Sequence, residues 1–123
     1  MSQTSHRPAG SHLLADFYGI APQALVSCEA IDTLLREGAA AAGAHILHSH
    51  FHSFGPGQGV TGVVLLAESH ISVHTWPEFG FAAVDIFMCG EARPALALEV
   101  IESALGPASS IVQTIARGGA VPL

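Results

Sequence analysis

The sequence contains no lysine. Its only fixed cations are Arg7, Arg36, Arg93 and Arg117, set against ten carboxylates, for a formal net charge of −6 with histidine neutral. Charged residues make up 11% of the 123, where soluble domains average about 25%. These shortages exclude several chemistries. Without lysine there is no internal aldimine, so pyridoxal-phosphate and lysine Schiff-base catalysis are closed. A GxxxxGK[ST] phosphate loop is closed as well. Four scattered arginines on an acidic chain match a phosphate backbone poorly, so nucleic acid is not an expected partner. Two cysteines, Cys28 and Cys89, make no disulfide framework. Residues 1–10 have no apolar run, so they read as a flexible tail and not as a signal peptide. No stretch is long enough for a membrane span. The expected location is the cytoplasm, with both thiols reduced.

What is present is a hydrophobic chain, 50% apolar by composition. At this length it forms one domain, spanning 11–123, that buries roughly two thirds of its unfolded surface. So few charges on so small a body point to a surface covered by a second subunit. The patterning predicts a strand from His12 to Tyr18. A helix follows, capped by Ser27, with Ile31, Leu34, Leu35 and Ala42 on its inner face and Gly43 as its stop. Strands are expected over Ala44–Phe54, Thr61–Glu68, Ser69–Thr75 and Phe81–Met88, with a Gly-Pro loop at 55–59 and a break at Trp76-Pro77-Glu78. A second helix opens at Pro94 and turns Ala97, Leu98, Ile101 and Leu105 inward, and Ser110–Ala116 is the last strand. The economical packing is an α+β two-layer sandwich: an antiparallel sheet with two helices on one face, dimerising through the other.

Three constellations carry possible chemistry. His48, His50 and His52 sit at period-2 spacing, so their rings share one strand face that could bind a metal. The plainer reading is an exposed histidine-rich strand, because no carboxylate or thiol lies nearby at ligand spacing. Cys89 ends a strand and shares a face with Asp85; alone, it reads as a small buried hydrophobe. Cys28, in a helix's first turn, reads as packing. The third is Glu68–Glu78, ESHISVHTWPE, which places His70, Ser72 and His74 on one strand face. Buried unpaired, such groups cost a few kcal/mol each, roughly 1–3 by mutational measures. A Ser-His-Asp hydrolase lacks support, since Ser69 has no GxSxG elbow.

From Phe54 to Gly90 the chain resembles the S-adenosylmethionine decarboxylase proenzymes of the short prokaryotic class. The ESH…HTWPE…CG residues match in identity, order and spacing, and the resemblance extends more weakly over nearly the whole chain. It implies self-cleavage between Glu68 and Ser69 into a β chain, 1–68, and an α chain, 69–123. Ser69 then becomes a covalently bound pyruvoyl group, the cofactor that forms a Schiff base with the substrate. It also implies that His74 is the processing base, Cys89 the proton donor, and Thr61 a processing support standing where some members have serine. Phe54 would stack on adenine and Glu78 would hold the ribose, with no metal. The implied partners are S-adenosylmethionine and a second processed protomer. The implied reaction releases carbon dioxide and feeds spermidine synthesis. Relatives that decarboxylate arginine or ornithine share this chemistry. The alternative from another class is a non-catalytic metal-binding domain on the His48/His50/His52 strand.

The implied roles are physically coherent. Decarboxylation leaves an electron pair that needs a sink, and a carbonyl joined to the substrate's own amine provides one without a protein amine. A thiol with pKa near 8.5 is a neutral acid at pH 7. A sulfonium substrate suits aromatic faces and a net negative protein.

Overall fold

The computed structural model describes residues 8–119. Six strands form one antiparallel sheet: β1 (Ala9–Tyr18), β2 (Ile46–Ser53), β3 (Val60–Leu66), β4 (Ser69–Trp76), β5 (Phe81–Cys89) and β6 (Ser109–Gly118). Their spatial order is β2-β3-β4-β5-β1-β6. Two helices, α1 (Cys28–Ala41) and α2 (Pro94–Leu105), pack against each other and against one face of the sheet.

The burial pattern shows which face. Leu13, Ala15 and Phe17 of β1 are buried, as are Val60, Val64 and Leu66 of β3, Ile71 and Val73 of β4, and Ala82, Val84, Ile86 and Met88 of β5. These alternate residues meet Ile31, Leu35 and Ala39 of α1 and Ala97, Ile101 and Leu105 of α2. The helices come close at Gly38, where an added Cβ would lie 3.1 Å from Ile101 Cγ1. The two-layer α+β sandwich is the expected one, and among the described residues the second sheet face carries no helix.

Local signals explain the helix ends. Ser27 Oγ accepts the Ala30 N–H at 3.1 Å. At the other end Gly43 takes a left-handed φ of 79°. Its N–H donates to Ala40 C=O and the Ala44 N–H donates to Ala39 C=O, each at 3.0 Å. That pair of bonds is a Schellman motif. It keeps Ala44 with the helix, so β2 begins at Ile46 and not at the expected Ala44. A register shift between Ile46 and His48 leaves Leu47 bulged and exposed. Pro77–Phe79 forms a single 3₁₀ turn where the break was expected, and Pro22–Leu25 forms another that the patterning did not show. Thr75, a buried polar side chain, ties the second turn to the sheet: its hydroxyl donates to Leu25 C=O at 2.8 Å and accepts the Val60 N–H at 2.9 Å.

Two expectations need correction. The tail was placed at residues 1–10, but Ala9 and Gly10 already belong to β1, paired with Gly118 and Arg117 of β6; residues 1–7 lie outside the described residues. Glu68 was expected to end a strand. It sits instead in the turn between β3 and β4, because Leu66 pairs directly with Ser69.

Candidate active site

The β3–β4 hairpin has a two-residue loop, Ala67-Glu68. Glu68 has a φ of 61° and is the one non-glycine residue at positive φ among those described. Outside glycine, asparagine and aspartate, this region costs about 1–3 kcal/mol. The hairpin turns that match strand twist put positive φ at the first loop residue. Here only the second has it, so the loop departs from the relaxed form. The Ala67 N–H is meanwhile drawn to His45 C=O at 2.9 Å. The strained residue is therefore the one before the expected scissile bond.

Ser69 opens β4, half-buried on the helix side with Ile71 and Val73. Its Oγ accepts the Cys89 backbone N–H at 3.3 Å. The Cys89 side chain lies on the open face, alternating with the buried Met88. A pocket of about 270 Å³ at this end of the sheet is lined by His45, Glu68, Ser69, Cys89 and Glu91, among others.

The other expected residues gather elsewhere. Thr61 of β3 pairs with His74 of β4, and Thr61 Oγ1 lies 3.2 Å from His74 Nδ1. Phe54 follows β2, 60% exposed, held by its N–H to Gly59 C=O at 3.1 Å and by His52, whose ring centroid is 4.7 Å away. Glu78 sits in the 3₁₀ turn after β4. These four line a second pocket, of about 350 Å³, together with Trp76. Ser69 and His74 are five residues apart on one extended strand, a separation of about 17 Å. One protomer thus holds the hairpin of the expected cleavage at one end of β4 and the expected base, stacking ring and ribose carboxylate at the other.

Between the two ends, the open face carries a chain of polar contacts that sequence reasoning did not find. Arg117 of β6 donates to His12 Nδ1 at 3.0 Å. A guanidinium only donates, so Nδ1 is the unprotonated nitrogen and the proton is on Nε2. His12 Nε2 bonds to Asp85 Oδ1. His70 Nε2 lies 3.8 Å from the other oxygen of Asp85. Phe87 packs beneath, its ring centroid 5.4 Å from that of His12 and 6.0 Å from that of His70. The sequence did pair Asp85 with Cys89 on one face. It could not show that β1 inserts between β5 and β6 and brings in His12 and Arg117.

The histidine strand comes out differently from its metal-binding reading. His48, His50 and His52 share the open face, but all are exposed and their ligand atoms do not converge. Among the described residues only His12, His70 and Asp85 bring ligand atoms within 4.8 Å of one another. There the Nε2 proton faces Asp85, and a metal at Nε2 would have to displace both that contact and Arg117. No helix among the described residues is long and apolar enough to cross a membrane.

The S-adenosylmethionine decarboxylase family model matches residues 11–118. An S-adenosylmethionine decarboxylase proenzyme of Sulfurihydrogenibium sp. is 44% identical over 115 residues, covering 93% of this chain and 85% of its own length. One from Methanococcus maripaludis is 44% identical over 110 residues, 89% of each. The crystal structure of the adenosylmethionine decarboxylase from Aquifex aeolicus superposes with a TM-score of 0.84 at 38% identity, covering 94% of this chain and 95% of that one. Fold and matches together define a decarboxylase, a carbon–carbon lyase. More narrowly, the chain belongs to the S-adenosylmethionine decarboxylase family.

Proposed function

We propose that this chain is a precursor that cuts itself between Glu68 and Ser69 and then decarboxylates S-adenosylmethionine, supplying the aminopropyl donor for spermidine. The observation that carries the reading is the Glu68 φ of 61° directly before a serine hydroxyl held at a strand end. Torsional strain beside the bond to be broken raises the energy of the precursor, and releasing it on cleavage lowers the barrier.

Ser69 Oγ attacks the Glu68 carbonyl carbon, and the amide becomes an ester with the Ser69 nitrogen released as an amine. A base, assigned to His74 with Thr61 orienting its ring, removes the Ser69 α-proton. Elimination then breaks the Cβ–Oγ bond and frees the β chain, 1–68, with Glu68 as its carboxyl terminus. The remaining enamine takes up water and loses ammonia, leaving a pyruvoyl group on the α chain, 69–123. Once formed, that group supplies the carbonyl that accepts the electron pair left by departing carbon dioxide. Cys89, on the adjacent strand, is assigned the return of a proton. Phe54 offers a ring face to the adenine and Glu78 a carboxylate to the ribose hydroxyls.

The spacing along β4 supports a homodimer. His74 cannot reach the Ser69 α-proton of its own chain across about 17 Å of strand. A two-fold axis lying in the open face, across the strands, lays the Ser69 end of one protomer over the His74 end of its partner. The exposed Leu65, Trp76, Ile111 and Ile115 supply apolar area for such a contact. The two unpaired thiols, Cys28 and Cys89, fit a reducing compartment such as the cytoplasm.

The test is carbon dioxide release by the purified, cleaved protein offered S-adenosylmethionine, arginine and ornithine separately. Release from S-adenosylmethionine alone is expected. Release from arginine or ornithine in its place contradicts the substrate, and no release from any of them contradicts the reaction.

A further inference from the structure

We propose that the Arg117–His12–Asp85–His70 chain clamps the new amino terminus of the α chain, with His70 as the positioning residue that aims the group at position 69. This rests on the cleavage at Glu68–Ser69 proposed above.

Cleavage turns residue 69 from the middle of a hairpin into a chain end. Chain ends fray unless something ties them down. The cut removes the loop that closed the Leu66–Ser69 pair, at the one place where a loose carbonyl is most costly. The residue next to it, His70, is the first with a side chain after the reactive group. Its neighbours hold it on three sides: Asp85 at 3.8 Å, the Phe87 ring at 6.0 Å and the His12 ring edge-on at 6.1 Å between centroids. Asp85 is fixed in turn by the His12 Nε2 proton, and His12 by Arg117 at 3.0 Å. Arg117 also lies over Phe87, 5.8 Å from its centroid.

The chain runs across four neighbouring strands, from β6 through β1 and β5 to β4. After cleavage His12 belongs to the β chain, and Arg117, Asp85 and His70 to the α chain. The clamp therefore spans the two products and anchors the α-chain end to the released chain. Cys89, two residues from Phe87 on the same face, is a diagonal neighbour of His70. A shift of His70 displaces the group at 69 relative to its proton donor, while the pocket that Phe54 and Glu78 line lies at the far end of each β4 from that strand's own His70. The signature is thus a loss in turnover with substrate affinity retained.

The variants are His70→Leu, His70→Gln and Asp85→Ala, each measured on its cleaved fraction, which intact mass quantifies. His70→Leu is expected to lower kcat on the order of tenfold or more, since small misplacements cost that much, with KM and melting temperature unchanged. His70→Gln, which keeps a polar group beside Asp85, recovers most of the loss. Asp85→Ala matches His70→Leu, and the double variant is no worse than either single one. Wild-type kcat in His70→Leu, no recovery in His70→Gln, or additive losses in the double variant would overturn the clamp. If His70→Leu does not cleave, Asp85→Ala carries the test, and its full kcat refutes the proposal. Absence of cleavage in the unmodified chain is a separate result, which defeats the proposed function itself.

Discussion

Ser69 Oγ accepts the backbone N–H of Cys89 at 3.3 Å, which joins the expected attacking hydroxyl to the strand that carries the expected proton donor. The two roles then separate in mutants. Ser69→Ala is expected to leave the chain at full length on a denaturing gel after long incubation. Cys89→Ala is expected to cleave and then to lose turnover by about 10²–10⁴, the usual contribution of a positioned acid. Full turnover in Cys89→Ala removes it from the mechanism.

The left-handed backbone at Glu68 makes a prediction about strain. Asparagine tolerates that region better. In the uncleaved Ser69→Ala background, Glu68→Asn is expected to raise stability by about 0.5–1 kcal/mol in denaturant melts. In the active chain the same substitution is expected to slow self-cleavage several-fold, because the relaxed precursor starts lower. Cleavage as fast as wild type dissociates the strain from the reaction.

The Thr61 hydroxyl 3.2 Å from His74 Nδ1 gives a third prediction. Thr61→Val keeps the shape and removes the hydrogen bond. It is expected to slow cleavage about five- to tenfold, the equivalent of one hydrogen bond, and to leave kcat of the matured enzyme near wild type. A time course by gel and an assay of the cleaved product separate the two.

The split of the site along β4 predicts complementation. His74→Ala and Cys89→Ala are each expected to give little or no turnover. In a mixed dimer one site collects both lesions and the other collects none. Co-expression is therefore expected to restore about one quarter of wild-type activity, since half the dimers are mixed and each has one intact site. No recovery means that each protomer builds its site alone.

Much of this fold was legible because its signals are local. Ser27, Gly43 and Pro94 mark helix ends by backbone chemistry that any neighbour would leave intact, and period-2 alternation in β4 and β5 separates the core residues from His70, His74 and Asp85. The ESH…HTWPE…CG residues named the family. What stayed hidden depends on pairing across long stretches of chain. His12 and Arg117 meet only because β1 slots between β5 and β6, and nothing near either residue reports that. The φ of Glu68 follows from closing a two-residue loop, where the sequence shows only an unremarkable glutamate. The separation of Ser69 from His74, by contrast, was legible in the expected strand Ser69–Thr75.

The central claim is that this chain makes its own carbonyl from Ser69, and intact mass spectrometry of the purified protein addresses it directly. The account predicts two polypeptides, one ending at Glu68 and one beginning at position 69, with the second lighter by one ammonia than a chain that starts with serine. A single full-length species after prolonged incubation, or a second fragment carrying an unmodified amino-terminal serine, would contradict it.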